Sequence, residues 1–391
     1  MKKRRFIAFV SVVICLVIGI SVIIRRSQET ISHRGQTLKA WSIQASQGDS
    51  NAVAILKELG TNSIPELIQL LKTKDSFFRK QTWTHLPRLP VWLRQNIARS
   101  FPPPQAELVR ESAARALGRL GPDAKIAIPA LSLALRDNQG RVRWDAATAL
   151  SLSGKDAVPA LIKALEEKDA RARHATAYAL GQMGPDAGAA VPALVRKLSD
   201  QDYAVRNSAA YSLTVIGIPG VLALVDAAEK GQAPARAVAA SMLTNSSLPL
   251  LRVSSELLKM AKNESPAARK QAIETLRAIR VARGPAIHAS LSALDDPVLE
   301  VRLAAIETLG TRGGQDETVI RMLAASLSDG SPRIREAAAN ALGNIGTDAR
   351  AAVPELTRLT KEEDKSVSEA AKIAMGKIGQ NNPDNTATPQ R

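Results

Sequence analysis

Small and large apolar residues recur along most of this chain on a three-and-four spacing. The same arrangement returns every 30 or 33 residues. In RIREAAANALGNIGTDARAAVPEL (333–356) the pattern is anchored at Leu342. Equivalent anchors are Leu117, Leu150, Leu180, Leu213, Leu243, Leu276, Leu309 and Met375. An Ala stands four residues before the anchor in eight of the nine repeats, with Thr176 in the ninth. An Arg stands seven before it in eight: Arg110, Arg143, Arg173, Arg206, Arg236, Arg269, Arg302 and Arg335. Offsets of three and four place these slots on one face of a helix, called helix A here. A fixed period of this length predicts a stacked repeat array.

The Ala row predicts close approach of neighbouring A helices. The Gly after the anchor (Gly118, Gly181, Gly310, Gly343, Gly376) is read as the start of the exit from helix A. A second Gly (Gly121, Gly154, Gly184, Gly346) suits a left-handed C-cap. The following GPDA, GKDA or GTDA supplies turn residues, with Asp as the expected N-cap of a second helix, B. Pro129, Pro159, Pro192 and Pro354 then fall in the first turn of helix B, where a missing N–H matters least. Two residues on, a Leu recurs, from Leu131 to Leu356. The 30-residue units lose three residues in the loop and keep both helices.

The pattern R-x-x-A-x-x-L-G-x-x-G-x-D-A-x-x-A-x-P-x-L over residues 108–379 resembles the short HEAT repeats of the phycobilisome-lyase type. That resemblance implies an all-α chain: a right-handed α-solenoid of stacked antiparallel helix pairs, with B helices on the concave side. It also brings an activity into view, because the family includes bilin-attachment lyases. No catalytic residue of those enzymes maps onto this sequence.

The ends depart from the repeat. Residues 1–26 are read as an N-terminal membrane anchor. Its apolar run, Phe6–Ile24, is 19 residues without a charge. As a helix it would be roughly 28 Å long, near the ~30 Å hydrocarbon thickness. A cleaved signal peptide is the alternative, but the run exceeds the usual ~7–15-residue apolar core. Lys2, Lys3, Arg4 and Arg5 before it favour a cytoplasmic tail, with the repeats outside the cytoplasm. Residues 27–48 read as a juxtamembrane linker that turns helical near Leu38. Residues 49–107 read as a degenerate first repeat anchored at Leu59, followed by an aromatic and Pro-rich insert, Phe77–Pro104. Pro residues there predict short helical pieces and extended turns. Residues 380–391 read as a disordered tail.

Candidate chemistry is sparse. The single Cys15 excludes a disulfide framework. His33, His85, His174 and His288 show no metal-ligand spacing, and no P-loop or G-x-S-x-G elbow occurs. No cofactor is expected. The Arg row could grip phosphates, but each Arg shares the packed Ala–Leu face. An acid stands six residues before the slot in most units (Asp137, Glu167, Asp200, Asp296, Asp329, Glu362). A structural ladder of Arg–acid pairs, such as Arg302 with Asp296, is therefore expected. Charge argues the same way. Residues 1–120 carry 19 basic and 7 acidic side chains, whereas residues 121–391 carry 34 and 30. The surplus is juxtamembrane and suits anionic lipid better than a nucleic-acid groove.

The insert reads as an N-terminal cap whose aromatics fold over the first repeats, or as a partner site through Phe77, Phe78, Arg79, Lys80, Trp83, Trp92 and Phe101, and the two are compatible. The function expected is a non-enzymatic protein-interaction scaffold on a membrane tether. The rival readings are a lyase-like subunit and a nucleic-acid-binding array.

Overall fold

The computed structural model describes residues 32–100, 103–244 and 248–379. The expected membrane helix 6–24, Phe101 and the tail 380–391 lie outside these. Among the described residues no helix is long and apolar enough to cross a membrane. The chain divides into two compact units, one ending at Ala179 and one beginning at Leu180.

The first unit opens with a short hairpin ahead of the helix expected near Leu38. Ser32–His33 pairs antiparallel with Gln36–Thr37. Arg34 and Gly35, with φ of 51° and 78°, make the two-residue turn this pairing requires. Thr37 then caps helix Leu38–Ser46 through its hydroxyl. Leu38, Trp41 and Ala45 are buried, and the Trp41 indole donates to the His33 carbonyl at 2.9 Å. An apolar face at this spacing cannot stay in water, so the segment docks on helices Ser50–Leu59 and Ala106–Leu120.

The degenerate repeat is also re-anchored. Ile55 and Leu56 are buried, while Leu59 is half-buried at the end of its helix. Helix Ile64–Leu71 follows, with Pro65 in its first turn. The insert forms helices Phe77–His85 and Val91–Ser100 around a 3-10 turn at Leu86–Arg88. Regular repeats begin at A helix Ala106–Leu120 and continue through Gly140–Leu152 into Ala170–Met183. Their B helices are Ile128–Ala134 and Val158–Ala164.

In the second unit the A helices are Tyr203–Ile216, Ala233–Thr244, Pro266–Ala278, Leu299–Arg312, Pro332–Ile345 and Lys365–Gly379. B helices Val191–Lys197, Ile218–Lys230, Leu248–Met260, Arg283–Ser292, Glu317–Ser326 and Val353–Leu359 alternate with them. A helices Ala106–Leu120 and Gly140–Leu152 pack on one another, as do Pro266–Ala278, Leu299–Arg312, Pro332–Ile345 and Lys365–Gly379 in succession, and in the second unit each B helix packs on the A helix after it.

The core is the expected slot pattern. Ala113, Ala146, Ala209, Ala239, Ala272, Ala305, Ala338 and Ala371 are all 0% exposed. Anchors Leu117 to Leu342 are buried, and the terminal Met375 is half-exposed. The recurring B-helix leucines, such as Leu131, Leu194 and Leu356, are buried as well.

Two local readings are corrected. The Asp of GPDA-type turns is not the N-cap of helix B. Gly121–Ala127, Gly184–Ala190 and Gly346–Ala352 are 3-10 helices that run directly into helix B. The cap positions are Ala127, Ala190 and Ala352, in helical conformation, with no side-chain cap. Asp123, Asp186 and Asp348 are exposed in the first 3-10 turn, while the alanines of the motif point into the core. The backbone is already helical at these cap alanines, so no capping oxygen is needed.

Second, the Gly after the anchor does not end helix A. Helices with Gly118, Gly310 and Gly343 continue beyond them, to Leu120, Arg312 and Ile345. A Cβ added at Gly310 would lie 2.7 Å from the Ala341 Cα, and one at Gly343 would lie 2.9 Å from the Ala374 Cα. Gly118 meets Ala149 in the same way at 3.1 Å. The Gly row is thus the point where one A helix touches the backbone of the next. The second Gly does what its slot predicts: Gly121, Gly154, Gly184 and Gly346 all have positive φ.

The contact distances separate two glycines of the same slot. Gly310→Ala should destabilise by about 1–3 kcal/mol through overpacking. Gly376 has nothing within 4 Å of an added Cβ, so Gly376→Ala should be neutral or stabilising, by up to ~1 kcal/mol of helix propensity. Thermal melts of both variants check this, and equal losses would remove the close-contact account. Leu309→Ala, at a fully buried anchor, should lose about 2–5 kcal/mol, and Leu59→Ala clearly less.

Candidate functional site

The Arg row has a regular geometry, and it differs from the expected one. The carboxylate six residues before each Arg does not pair with that Arg. In the second unit, Arg302 Nη1 donates to the main-chain carbonyl of Asp296 at 2.8 Å. The Asp296 carboxylate instead takes a two-pronged bond from Arg269 of the preceding repeat, at 2.6 and 2.8 Å. The reason is reach. Arg302 sits one turn into its helix, so its guanidinium falls on the carbonyls of the loop that leads in. The Asp296 side chain points back across the repeat boundary.

The arrangement recurs. Arg110 holds Asp137 at 2.6 and 3.1 Å, and Arg143 Nη1 donates to the Asp137 carbonyl at 2.6 Å. Arg335 grips Glu362 and donates to the Asp329 carbonyl at 2.8 Å. Arg173 and Arg206 donate to the carbonyls of Glu167 and Asp200 at 2.8 and 2.7 Å. Arg236 reaches the Gly231 carbonyl at 3.1 Å. Asp137, Asp200, Asp296 and Asp329 also accept from the backbone N–H two residues on, which tightens the same loop. Each such loop is therefore held from within by its own carboxylate and from outside by arginine.

Polar satisfaction is uneven along the row. Arg302 Nε is buried without a hydrogen-bond partner among the described residues. The Arg269 guanidinium beside Asp296 holds its carboxyl below the usual carboxylate range, and Asp296 in turn raises Arg269.

The insert presents a different surface. Asp75, just before it, accepts from the backbone N–H groups of Gln105 and Ala106, both at 3.2 Å, just after it. The segments before and after the insert are thereby tied at its base. Arg79 lies 3.9 Å from the same carboxylate. Helix Phe77–His85 buries none of its residues. Phe77 and Phe78 are 73% and 68% exposed and meet edge-on with ring centres 6.1 Å apart. Trp92 is 65% exposed, Lys80 is exposed and Trp83 is half-buried. Beside the insert, Lys72, Lys74, Lys80 and the exposed Leu133 line a groove of about 830 Å³ whose wall carries the Arg110–Asp137 pair.

One cluster was not anticipated. Trp144 lies edge-on to both His174 and Tyr178, with 5.1 Å between ring centres in each case. Its signal is present in the repeat register. Trp144 and His174 share the slot six residues before the anchor, so consecutive repeats bring them together. Among the described residues no group of His, Cys, Asp and Glu could hold a metal ion.

The sequence model of HEAT repeats matches residues 104–181, 128–214, 158–244 and 287–376, together more than half of the chain. No curated protein matches the sequence. Among solved structures, human deoxyhypusine hydroxylase is 27% identical over 65% of this chain and 96% of its own, with a TM-score of 0.28. An engineered protein is 20% identical over 81% of this chain and 98% of its own, at a TM-score of 0.30. The karyopherin Kap121p is 15% identical over 86% of this chain and 48% of its own, at a TM-score of 0.34.

The pKa directions give a sign for the ladder. A carboxylate depressed on folding stabilises fully above the ordinary aspartate pKa of about 3.9 and loses that contribution as pH falls through its lower folded value. Arg269→Ala should therefore lower the melting temperature at pH 7, and the gap to the unaltered protein should close below about pH 4. Arg302→Ala, which loses only a carbonyl contact, should cost less at pH 7. A larger loss for Arg302→Ala in melts across this pH range would overturn the cross-repeat assignment.

Proposed function

This chain belongs to the HEAT-repeat family, and from that premise we propose that it is a non-enzymatic protein-interaction scaffold, tethered to a membrane by the apolar run Phe6–Ile24. The insert presents its docking surface. One observation carries this reading: helix Phe77–His85 contributes nothing to the core while it exposes two phenylalanines. A monomeric soluble surface seldom leaves large aromatics bare together, and aromatic and Arg side chains are the usual anchors of protein interfaces. The insert is fastened at its base by Asp75, so its helices can be presented without loosening the repeats.

The tether follows from the 19 uncharged residues of Phe6–Ile24 and their basic flanks. The repeats then lie outside the cytoplasm. An extended polyanion is the poorer partner, because residues 121–391 carry 34 basic and 30 acidic side chains.

A photo-crosslinking residue placed at Phe78 in intact cells should give a discrete protein adduct, while one at the exposed Ile373 of the last helix should not. The double variant Phe77→Ser with Trp92→Ser should lose binding by about tenfold or more, since an interface anchor is worth ~2 kcal/mol or more. Its melting temperature should not change. Equal adducts at Phe78 and Ile373 would sink the docking assignment. For the tether, the chain should stay in the membrane pellet after an alkaline wash. A soluble product with its N-terminus near Val22 would mean a cleaved signal instead.

A further inference from the structure

In the second unit, Arg277 and Arg312 stand at the ends of A helices Pro266–Ala278 and Leu299–Arg312, and Arg280 and Arg283 in the turn that follows the first of them. Arg312 Nε donates to the Arg277 carbonyl at 2.8 Å, and Arg312 Nη2 donates to the same oxygen. Arg283 donates to the carbonyls of Arg312 and Gly313 at 3.0 and 3.1 Å. These oxygens close the C-terminal ends of A helices, where the helix dipole favours a cation. Backbone, not carboxylate, therefore places Arg312 and Arg283. Arg277 holds Glu307 at 2.8 Å. Arg280 is exposed, and its side chain has no carboxylate partner among the described residues.

Four guanidiniums thus share one carboxylate. Desolvation, and then repulsion from Arg280, Arg277 and Arg283, hold Arg312 below the usual guanidinium value. Such crowding is relieved by an incoming anion. The repeat register sharpens the point: Arg277 and Arg280 occupy the two slots that hold Gly118 and Gly121, or Gly343 and Gly346, in regular repeats. The turn gives up its left-handed glycine and gains two cations.

We propose that this quartet binds an acidic peptide segment of the protein partner, with two or three carboxylates converging on Arg280, Arg283 and Arg312. The assignment rests on the scaffold reading and gives its partner a chemistry. Arginine forks match carboxylates two-pronged, and weak hydration makes them suited to interface ion pairs. The cluster is a local point of positive charge in a stretch, residues 121–391, that otherwise balances 34 basic with 30 acidic side chains. A regularly charged strand such as RNA finds no continuous basic track there, whereas an acidic loop that presents its charge at one point needs none.

The test uses the full-length protein in detergent and a fluorescein-labelled hexaglutamate peptide, followed by anisotropy at low salt. Arg280→Glu should weaken binding by about tenfold or more, as expected for loss of a charge-assisted contact. Arg321→Glu, the same charge change at an exposed site on helix Glu317–Ser326, should alter it by less than about twofold. Melting temperatures of both should match the unaltered protein. No binding by the unaltered protein, or equal weakening by the two variants, overturns the proposal. Tighter binding of a phosphoserine peptide assigns a phosphoryl ligand and overturns the carboxylate assignment. A single-stranded RNA of equal charge that binds as well as hexaglutamate does the same for the peptide class. Phe77→Ser with Trp92→Ser should leave hexaglutamate binding unchanged. Loss of the Phe78 adduct with hexaglutamate still bound therefore defeats only the insert, and the reverse defeats only the quartet.

Discussion

A helix pair in this protein has no core of its own. Its Ala and Leu face is apolar on one side only, and that face is buried by the next pair or by nothing. Repeat-to-repeat contact is therefore the constraint on which everything else depends. It explains why the Ala row is 0% exposed throughout and why Gly310 and Gly343 cannot be larger: the distance between A helices is set by backbone touching Ala341 and Ala374. It also accounts for the relaxation in the last described A helix. An added Cβ at Gly376 meets nothing within 4 Å and Met375 is half-exposed, and among the described residues no A helix follows theirs.

The arginine slot serves the same constraint by a different force. Apolar burial is non-directional and would tolerate sliding of one pair along another. A two-pronged bond from Arg269 to Asp296 does not tolerate it, since both oxygens must meet both nitrogens. Asp296 then passes the register on, because its carbonyl is the acceptor for Arg302. Loop, guanidinium and next loop alternate, with apolar contact supplying the adhesion and arginine the alignment. Where the following repeat has no acid at the matching place, as after Arg206, where the slot holds Lys230, the carbonyl bond to the helix's own loop remains.

How much of this the sequence shows depends on whether a feature repeats. The helix pairs, the buried Ala and Leu slots and the left-handed Gly121, Gly154, Gly184 and Gly346 were all legible, since nine copies average out local noise. Contacts between repeats were not. A spacing of six within one repeat suggested Arg302 with Asp296, but the partner lies 27 residues away along the chain, as Asp296 does from Arg269. The Gly after the anchor misled for the same reason: its neighbour is on another helix. Gly followed by a turn motif reads as a helix end, and only the position of Ala341 shows that it is a contact. At the candidate site, the aromatic insert was visible in the composition, while the exposure of Phe77 and Trp92 and the staple by Asp75 needed the fold.

Sites in a repeat array should be sought where a slot is vacated, because the regular residues are already committed to their neighbours. The insert is one such departure, adding helix Phe77–His85 with no buried face. The Arg277–Arg280 turn is another. Replacing both glycines removes a close helix contact and a left-handed cap, two features that the regular repeats keep at Gly118 and Gly121. Helix Pro266–Ala278 accommodates this by ending in extended backbone at Ile279, with φ −82° and ψ 106°, a conformation any residue can adopt. The turn thus remains unstrained without glycine, and its two slots become free to carry charge. Packing does not require guanidiniums there, and the backbone carbonyls that hold Arg283 and Arg312 leave their charges uncompensated. An anion from outside the chain is what that uncompensated charge calls for.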